Sequence, residues 1–149
     1  MNKKRIITNI LLLMSCGYFY VCLELIYRHY STVEMMFCAS LAAIPMLLLN
    51  NWFTYDMYYI WQIMICALFA TGVEYIFGII FNRDFHIWDY RNQWGNIQGM
   101  ICPLFTLLWG LISAGMIVLL DWIEYNIFDD PIRPYYVITR KWIIYMKEK

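Results

Sequence analysis

The stretch Gly72–Gly110 reads GVEYIFGIIFNRDFHIWDYRNQWGNIQGMICPLFTLLWG, and its reading decides the fold. It begins inside an apolar segment that carries one carboxylate, Glu74. It passes through a polar, aromatic loop, Asn82 to Gln98, and a second apolar segment opens at Gly99. The flanking runs Met57–Phe81 and Met100–Leu120 each supply the roughly 20 apolar residues that a helix needs to cross a hydrocarbon core. Two such runs joined by a polar loop predict a helical hairpin in a membrane, with Tyr55, Tyr58, Tyr59 and Trp61 at the interface where one run starts.

Working outward, Ile6–Tyr27 is a further run of spanning length, and Met35–Leu49 is a shorter one interrupted by Pro45. Proline removes a backbone donor and kinks a helix, so a tilted or kinked span is predicted there, with a re-entrant hairpin as the alternative. The order Leu13-Met14-Ser15-Cys16 has the outline of a lipoprotein cleavage site, but the apolar run continues well past Cys16, which favours an uncleaved helix.

The whole chain of 149 residues is 62% hydrophobic and only 15% charged, against roughly 45–50% and about 25% in soluble domains. The predicted fold is an all-α membrane protein: a four-helix transmembrane bundle over residues 1–128, with a polar outer loop between helices 3 and 4. Residues 129–149 form a basic tail. Its Tyr135, Ile138, Trp142 and Tyr145 fall at helical spacing and predict a short amphipathic helix on the membrane surface. A disordered basic tail is the alternative.

Formal net charge is zero, yet the basic residues are unevenly placed. Lys3, Lys4 and Arg5 open the chain, and Arg133, Arg140, Lys141, Lys147 and Lys149 close it. Basic ends flanking apolar spans set topology: a multi-pass protein of the cell membrane with both termini cytoplasmic and the Asn82–Gln98 loop outside. The pattern does not suggest a nucleic-acid partner; the lipid bilayer is the implied one. The five cysteines, Cys16, Cys22, Cys38, Cys66 and Cys102, form no Cys-x-x-Cys pair and read as small packing residues.

Glu24 and Glu74 carry the sharpest chemical signal, because an acidic side chain in a spanning helix costs roughly 2.5–3.5 kcal/mol on insertion scales. Both fall toward the outer half of the bundle, where they are predicted to approach each other. Arg28 follows Glu24 by four residues, the favourable order for an ion pair; Glu74 has a loop donor such as Asn96 or Trp88 as its structural alternative. His86 with Asp89 is a weak base pair or metal pair, lacking a third ligand at spacing. The candidate polar site is Glu24, Glu74, His86, Trp88, Asp89, Tyr90, Asn96 and Gly99. Gly72, Gly78, Thr106, Gly110 and Ser113 are small residues expected at helix interfaces. No metal or cofactor is implied, and no glycine-rich phosphate loop is present for ATP hydrolysis by this chain.

Gly72-Val73-Glu74-Tyr75, Trp88-Asp89-Tyr90, Asn96-Ile97-Gln98-Gly99-Met100-Ile101-Cys102 and Trp109-Gly110 together resemble a family of small bacterial membrane proteins described as ABC-transporter permeases of the CmpB type. Gly17 followed by Glu24 is similar to the family's opening pattern. The resemblance runs from the first helix through the fourth and leaves the tail outside. Three positions depart from it: Arg91 stands for a serine, Met100 for an arginine, and Tyr20 or Val21 for a tryptophan. If the arginine pairs with a membrane glutamate in relatives, this chain has lost that partner. The resemblance implies a membrane subunit of a transport system, with the ATPase on another chain, and a homo-oligomer or second membrane subunit to complete a path. A non-catalytic binding protein docking through Trp88 and Tyr90, and a membrane enzyme acting on lipid or envelope precursors through Glu74, His86 and Asp89, are the alternatives.

Overall fold

The computed structural model describes residues 3–128 and 130–148; the expected tail boundary at Asp129 and the terminal Lys149 lie outside the described residues. Element order is α1 (Lys3–Arg28), α2 (Val33–Ala42), α3 (Ile44–Phe53), α4 (Tyr59–Phe81), α5 (Pro103–Ile127), β1 (Tyr135–Thr139) and β2 (Trp142–Tyr145). Arg5–Arg28, Val33–Phe53, Tyr59–Phe81 and Pro103–Ile127 are each long and apolar enough to cross a membrane. The mostly helical architecture of four such spans therefore agrees with the sequence reading.

The second span is the kinked one. Thr32 caps α2, its side-chain oxygen accepting from the Met35 N–H at 3.4 Å. The helix breaks at Ala43 and restarts with Pro45 in the first turn of α3, where the missing N–H costs nothing. Leu47 N–H donates to Ala43 O at 3.1 Å across the break, so the path stays helical. It begins beside Ser31, which bonds Glu24 of α1, and ends at Asn51, which bonds Glu124 of α5. The segment thus runs from one end of the bundle to the other, as a kinked span and not a re-entrant hairpin.

This broken span is the centre of the packing. α1 lies against α2, α2 against α4, α3 between α4 and α5, and α4 pairs with α5. Cys38, Ala39, Ser40, Ala42 and Ala43 are all buried there; side chains this small let neighbouring helices approach. Gly17 on α1 shows how close: a Cβ at that position would collide with Ser40 Oγ and the Met36 carbonyl. Leu68, Leu107 and Leu111 point outward, at 63, 68 and 72% exposure, as side chains bathed in lipid do.

The small-residue expectations divide. A Cβ on Gly78 would strike Met100 Sδ at 2.7 Å, and one on Gly110 would touch Ala67 and Ile63 at 3.8 Å. Thr106 Oγ1 accepts from Thr71 Oγ1 at 3.0 Å, joining α4 to α5, and Ser113 is fully buried. Gly72 differs: nothing lies within 4 Å of a Cβ there, so it is not at a helix interface of this chain.

The expected surface helix of the tail is instead an antiparallel hairpin, with Tyr135 opposite Tyr145 and Val137 opposite Ile143. Tyr135, Ile138, Trp142 and Tyr145 have helical spacing, but their neighbours Tyr136, Val137, Ile143 and Ile144 are apolar too, so the spacing singles out no helical face. Tyr136, Val137, Ile143 and Ile144 are aromatic or β-branched, and such side chains favour strands. The hairpin folds back on the bundle: Val137 bridges to Tyr58, and Tyr136 is buried with its ring 5.1 Å from Tyr59.

Candidate functional site

The loop between α4 and α5 is built on Asn82, the residue that caps α4. Its side chain is fully buried. Oδ1 accepts from the N–H groups of Ile87 (2.8 Å) and Trp88 (3.4 Å), and Nδ2 donates to Trp88 O at 2.6 Å. Residues 82–88 are thereby wrapped around one amide. The Trp88 indole then donates to Met100 O at 2.8 Å, tying the wrap to the start of α5.

The second half of the loop closes on Gly99. Tyr90 N–H donates to Gly99 O (3.0 Å), Gly99 N–H donates to Asn96 Oδ1 (2.9 Å), and Asn96 Nδ2 donates to Arg91 O and Gln93 O. Gly99 has φ +69°, and a Cβ there would press on the Arg91 and Phe85 side chains. A left-handed residue under two side chains requires glycine.

These anchors aim Tyr90 into the bundle. Its ring stacks on Phe105, centroids 4.1 Å apart, and its hydroxyl donates to Glu74 Oε1 at 2.9 Å. Trp109 of α5 donates its indole N–H to Glu74 Oε2 at 3.2 Å, and its ring stacks on Tyr20 of α1 at 5.1 Å. Glu74 is 1% exposed. Each carboxyl oxygen therefore has one neutral donor. Burial and the facing Glu74 push the Tyr90 phenol above its ordinary range, so it stays a donor.

Glu24 is held differently. It accepts from Arg28 Nη2 (2.7 Å) and Ser31 Oγ (2.6 Å), and Arg28 Nη1 donates on to Ile87 O at 2.7 Å. The two glutamates thus converge on one loop without bonding each other: Glu24 grips its Ile87 backbone through Arg28, and Glu74 grips its Tyr90 side chain. The expected loop donors to Glu74, Asn96 and Trp88, are used elsewhere.

His86 and Asp89 are not brought together. His86 Nδ1 pairs with Asp84, and Asp89 forms a two-pronged pair with Arg91 at 2.7–3.1 Å. Hydrogen bonds from the Arg91 side chain and N–H draw the Asp89 carboxyl down to about 2. Both pairs are exposed and separate from the buried Glu74. Trp88 and Tyr90 are buried at 6 and 7% exposure, so they anchor the loop inward and cannot serve as a docking face. Trp94, at 86%, is the exposed aromatic of this loop. Among the described residues no group of three or more His, Cys, Asp or Glu side chains converges as a metal site.

Two members escaped the sequence reading. Asn82 stood there only as a loop boundary, although a polar side chain directly after a long apolar run is a helix-end signal. Trp109 stood only in a motif, although an indole N–H buried in a span needs an acceptor, and Glu74 is the one it finds.

Residues 10–146 match the family model described as "Putative ABC-transporter type IV". The chain belongs to that family. The match agrees with the resemblance read from the loop motifs and extends it, because it runs through the C-terminal hairpin that the resemblance left outside. No curated protein and no solved structure matches this chain. The three departures from the family pattern have places in the structure. Arg91 lies over the Phe85 ring at 4.2 Å and pairs with Asp89. Met100 is buried against Gly78. Tyr20 stacks on Trp109.

Proposed function

We propose that the chain is the permease-like membrane subunit of a transport system whose ATPase is a separate chain. The observation that carries this reading is Glu74: a carboxyl sealed in a helix bundle, held by two neutral donors, one of which comes from a loop. Carboxyls in spanning segments are costly and mark substrate or ion paths. The loop has the build of a plug, since lifting Tyr90 both uncovers Glu74 and removes one of its donors. Family membership supports the transport class. Eight of the eleven basic residues precede the first span or follow the last one in the sequence, which supports a cytoplasmic placement of the termini.

The test is purification of the full chain from its native membrane in mild detergent, followed by reconstitution. A co-purifying ATPase whose hydrolysis rate depends on the wild-type chain, and is altered by Glu74→Gln, is the expected result. A monodisperse chain with no ATPase, or an ATPase indifferent to Glu74→Gln in a folded variant, overturns it.

A further inference from the structure

Between α5 and the C-terminal hairpin runs an open groove of about 440 Å³, within the roughly 300–1,000 Å³ of small-molecule sites. Val118 and Trp122 of α5 form one wall, and Ile138, Ile144 and Met146 form the other. Tyr136 also lines the groove and stands opposite Ile144 in the ladder, so the face that the hairpin turns toward it is apolar. Val118 and Trp122 are 37 and 46% exposed. That wall therefore belongs to the side of the span that meets lipid.

The α5 wall is graded. Val118, Trp122 and Asn126 all line the groove and follow one another at intervals of four residues. Eight residues of helix rise about 12 Å. Over that length the wall passes from aliphatic to indole to amide as the span nears its end at Ile127. A bilayer has the same order from hydrocarbon to interface to headgroup, and tryptophan is enriched at the middle level. A lipid lying along α5 thus has its chain at Val118 and its headgroup level with Asn126.

Charge sets the kind of headgroup. Two charged residues line the groove, Lys147 and Glu148. Glu148 is already compensated, because Arg133 Nη1 donates to its Oε1 at 2.6 Å. Among the described residues Lys147 has no ion-pair partner, and neither have Arg140 and Lys141, which are exposed in the turn of the hairpin. Uncompensated basic side chains beside a span attract anionic lipid.

We propose that this groove holds one anionic glycerophospholipid, an acyl chain packed between α5 and the hairpin and its phosphate meeting Lys147. The site is separate from the Glu74 assembly and does not depend on the transport reading.

The test uses the full chain in nanodiscs of phosphatidylcholine doped with phosphatidylglycerol, with the lipid retained per chain read by native mass spectrometry. One phosphatidylglycerol per chain is expected to be retained in preference to phosphatidylcholine. Lys147→Gln should lower that preference about fivefold, the weight of one basic side chain at a membrane surface. Val118→Trp should abolish it by filling the groove while leaving every charge in place. Leu111→Trp, at a position 72% exposed on the same helix and outside the groove, should leave it unchanged. Equal retention of the two lipids by the wild-type chain overturns the proposal, with no variant required. An unchanged preference in Lys147→Gln also overturns it. Retention that survives Val118→Trp does so too, since it makes the attraction a general one of the basic tail. A dimer that Val118→Trp dissociates would put a second copy in the groove and overturn it as well.

Discussion

Asn82→Ala is the most searching perturbation of the loop that covers Glu74. The substitution leaves the backbone cap intact, since Asn82 N–H donates to Gly78 O at 3.0 Å whatever the side chain. It removes three bonds at once: two to the N–H groups of Ile87 and Trp88, and one to Trp88 O. The 3.4 Å contact to Trp88 is weak, and the other two are short. At about 1 kcal/mol net for each ordinary bond, with more where a buried group is left unpaired, the loop loses roughly 2–4 kcal/mol of local stability. A factor of ten corresponds to about 1.4 kcal/mol. Amide protection over residues 82–90 should therefore fall by about 30-fold to several hundred-fold in hydrogen exchange, read by mass spectrometry on the protein in nanodiscs. The spans α1 and α4 should keep their protection. Asn82→Asp retains the acceptor for both N–H groups, and its carboxyl can donate to Trp88 O only when protonated, so its loss should be smaller than that of Ala at acidic pH and should grow as the carboxyl ionises. Equal protection in the wild type and Asn82→Ala would refute the argument that this side chain organises the loop. Asp and Ala variants with identical losses at acidic pH would refute the account of which bonds matter.

Tyr90→Phe keeps the stack on Phe105 and removes one donor to Glu74, while Trp109→Phe removes the other. Each should lower unfolding stability by about 1–3 kcal/mol, and the double variant should lose more than the sum, because a carboxyl with one donor left becomes a carboxyl with none; strict additivity would count against a shared site. Gly17→Ala should force α1 off α2, since the new methyl lands on Ser40 and the Met36 carbonyl, and maleimide labelling of the buried Cys16 should rise while that of the exposed Cys22 stays constant. Asp89 has its carboxyl depressed by Arg91, so the pair is intact above the ordinary carboxylate range near 3.8 and is lost as pH falls through about 2. Carboxyl NMR should show that midpoint rising toward the ordinary value in Arg91→Gln.

Composition and run length made the spans legible, because lipid imposes both on every segment that crosses it. The kink at Pro45 was legible for a local reason: a residue without an N–H interrupts a helix in any environment. The tail was misread because helical spacing carries information only when the positions between are polar. In Tyr135–Tyr145 the polar residues Thr139, Arg140 and Lys141 are bunched at the turn and the flanking positions are apolar, so β-branching was the better signal. Glu74 was legible as an anomaly and its partners were not. Tyr90 lies 16 residues away and Trp109 lies 35 away, and no sequence period links a loop hydroxyl to an indole on the next span.

The same reasoning explains why a second buried carboxyl, Asp121 toward the end of α5, went unseen. Read along the chain, Asp121 and Glu124 sit where an apolar run stops, and acids at the end of a span are ordinarily solvated. What removes Asp121 from water is the hairpin, which places Tyr136 over it from 15 residues further on, together with Asn50 from 71 residues earlier. A tail read as a surface helix leaves that carboxylate open, whereas a tail folded as a hairpin closes it. One error of secondary structure therefore hid one buried carboxyl and its partners. A carboxylate at a span terminus becomes informative only once the segment that follows it has been placed. The two ends of this bundle consequently share one device: Glu74 is held by a loop hydroxyl and an indole, and Asp121 by a hairpin hydroxyl and an amide, each carboxyl buried under a segment that folds back over it.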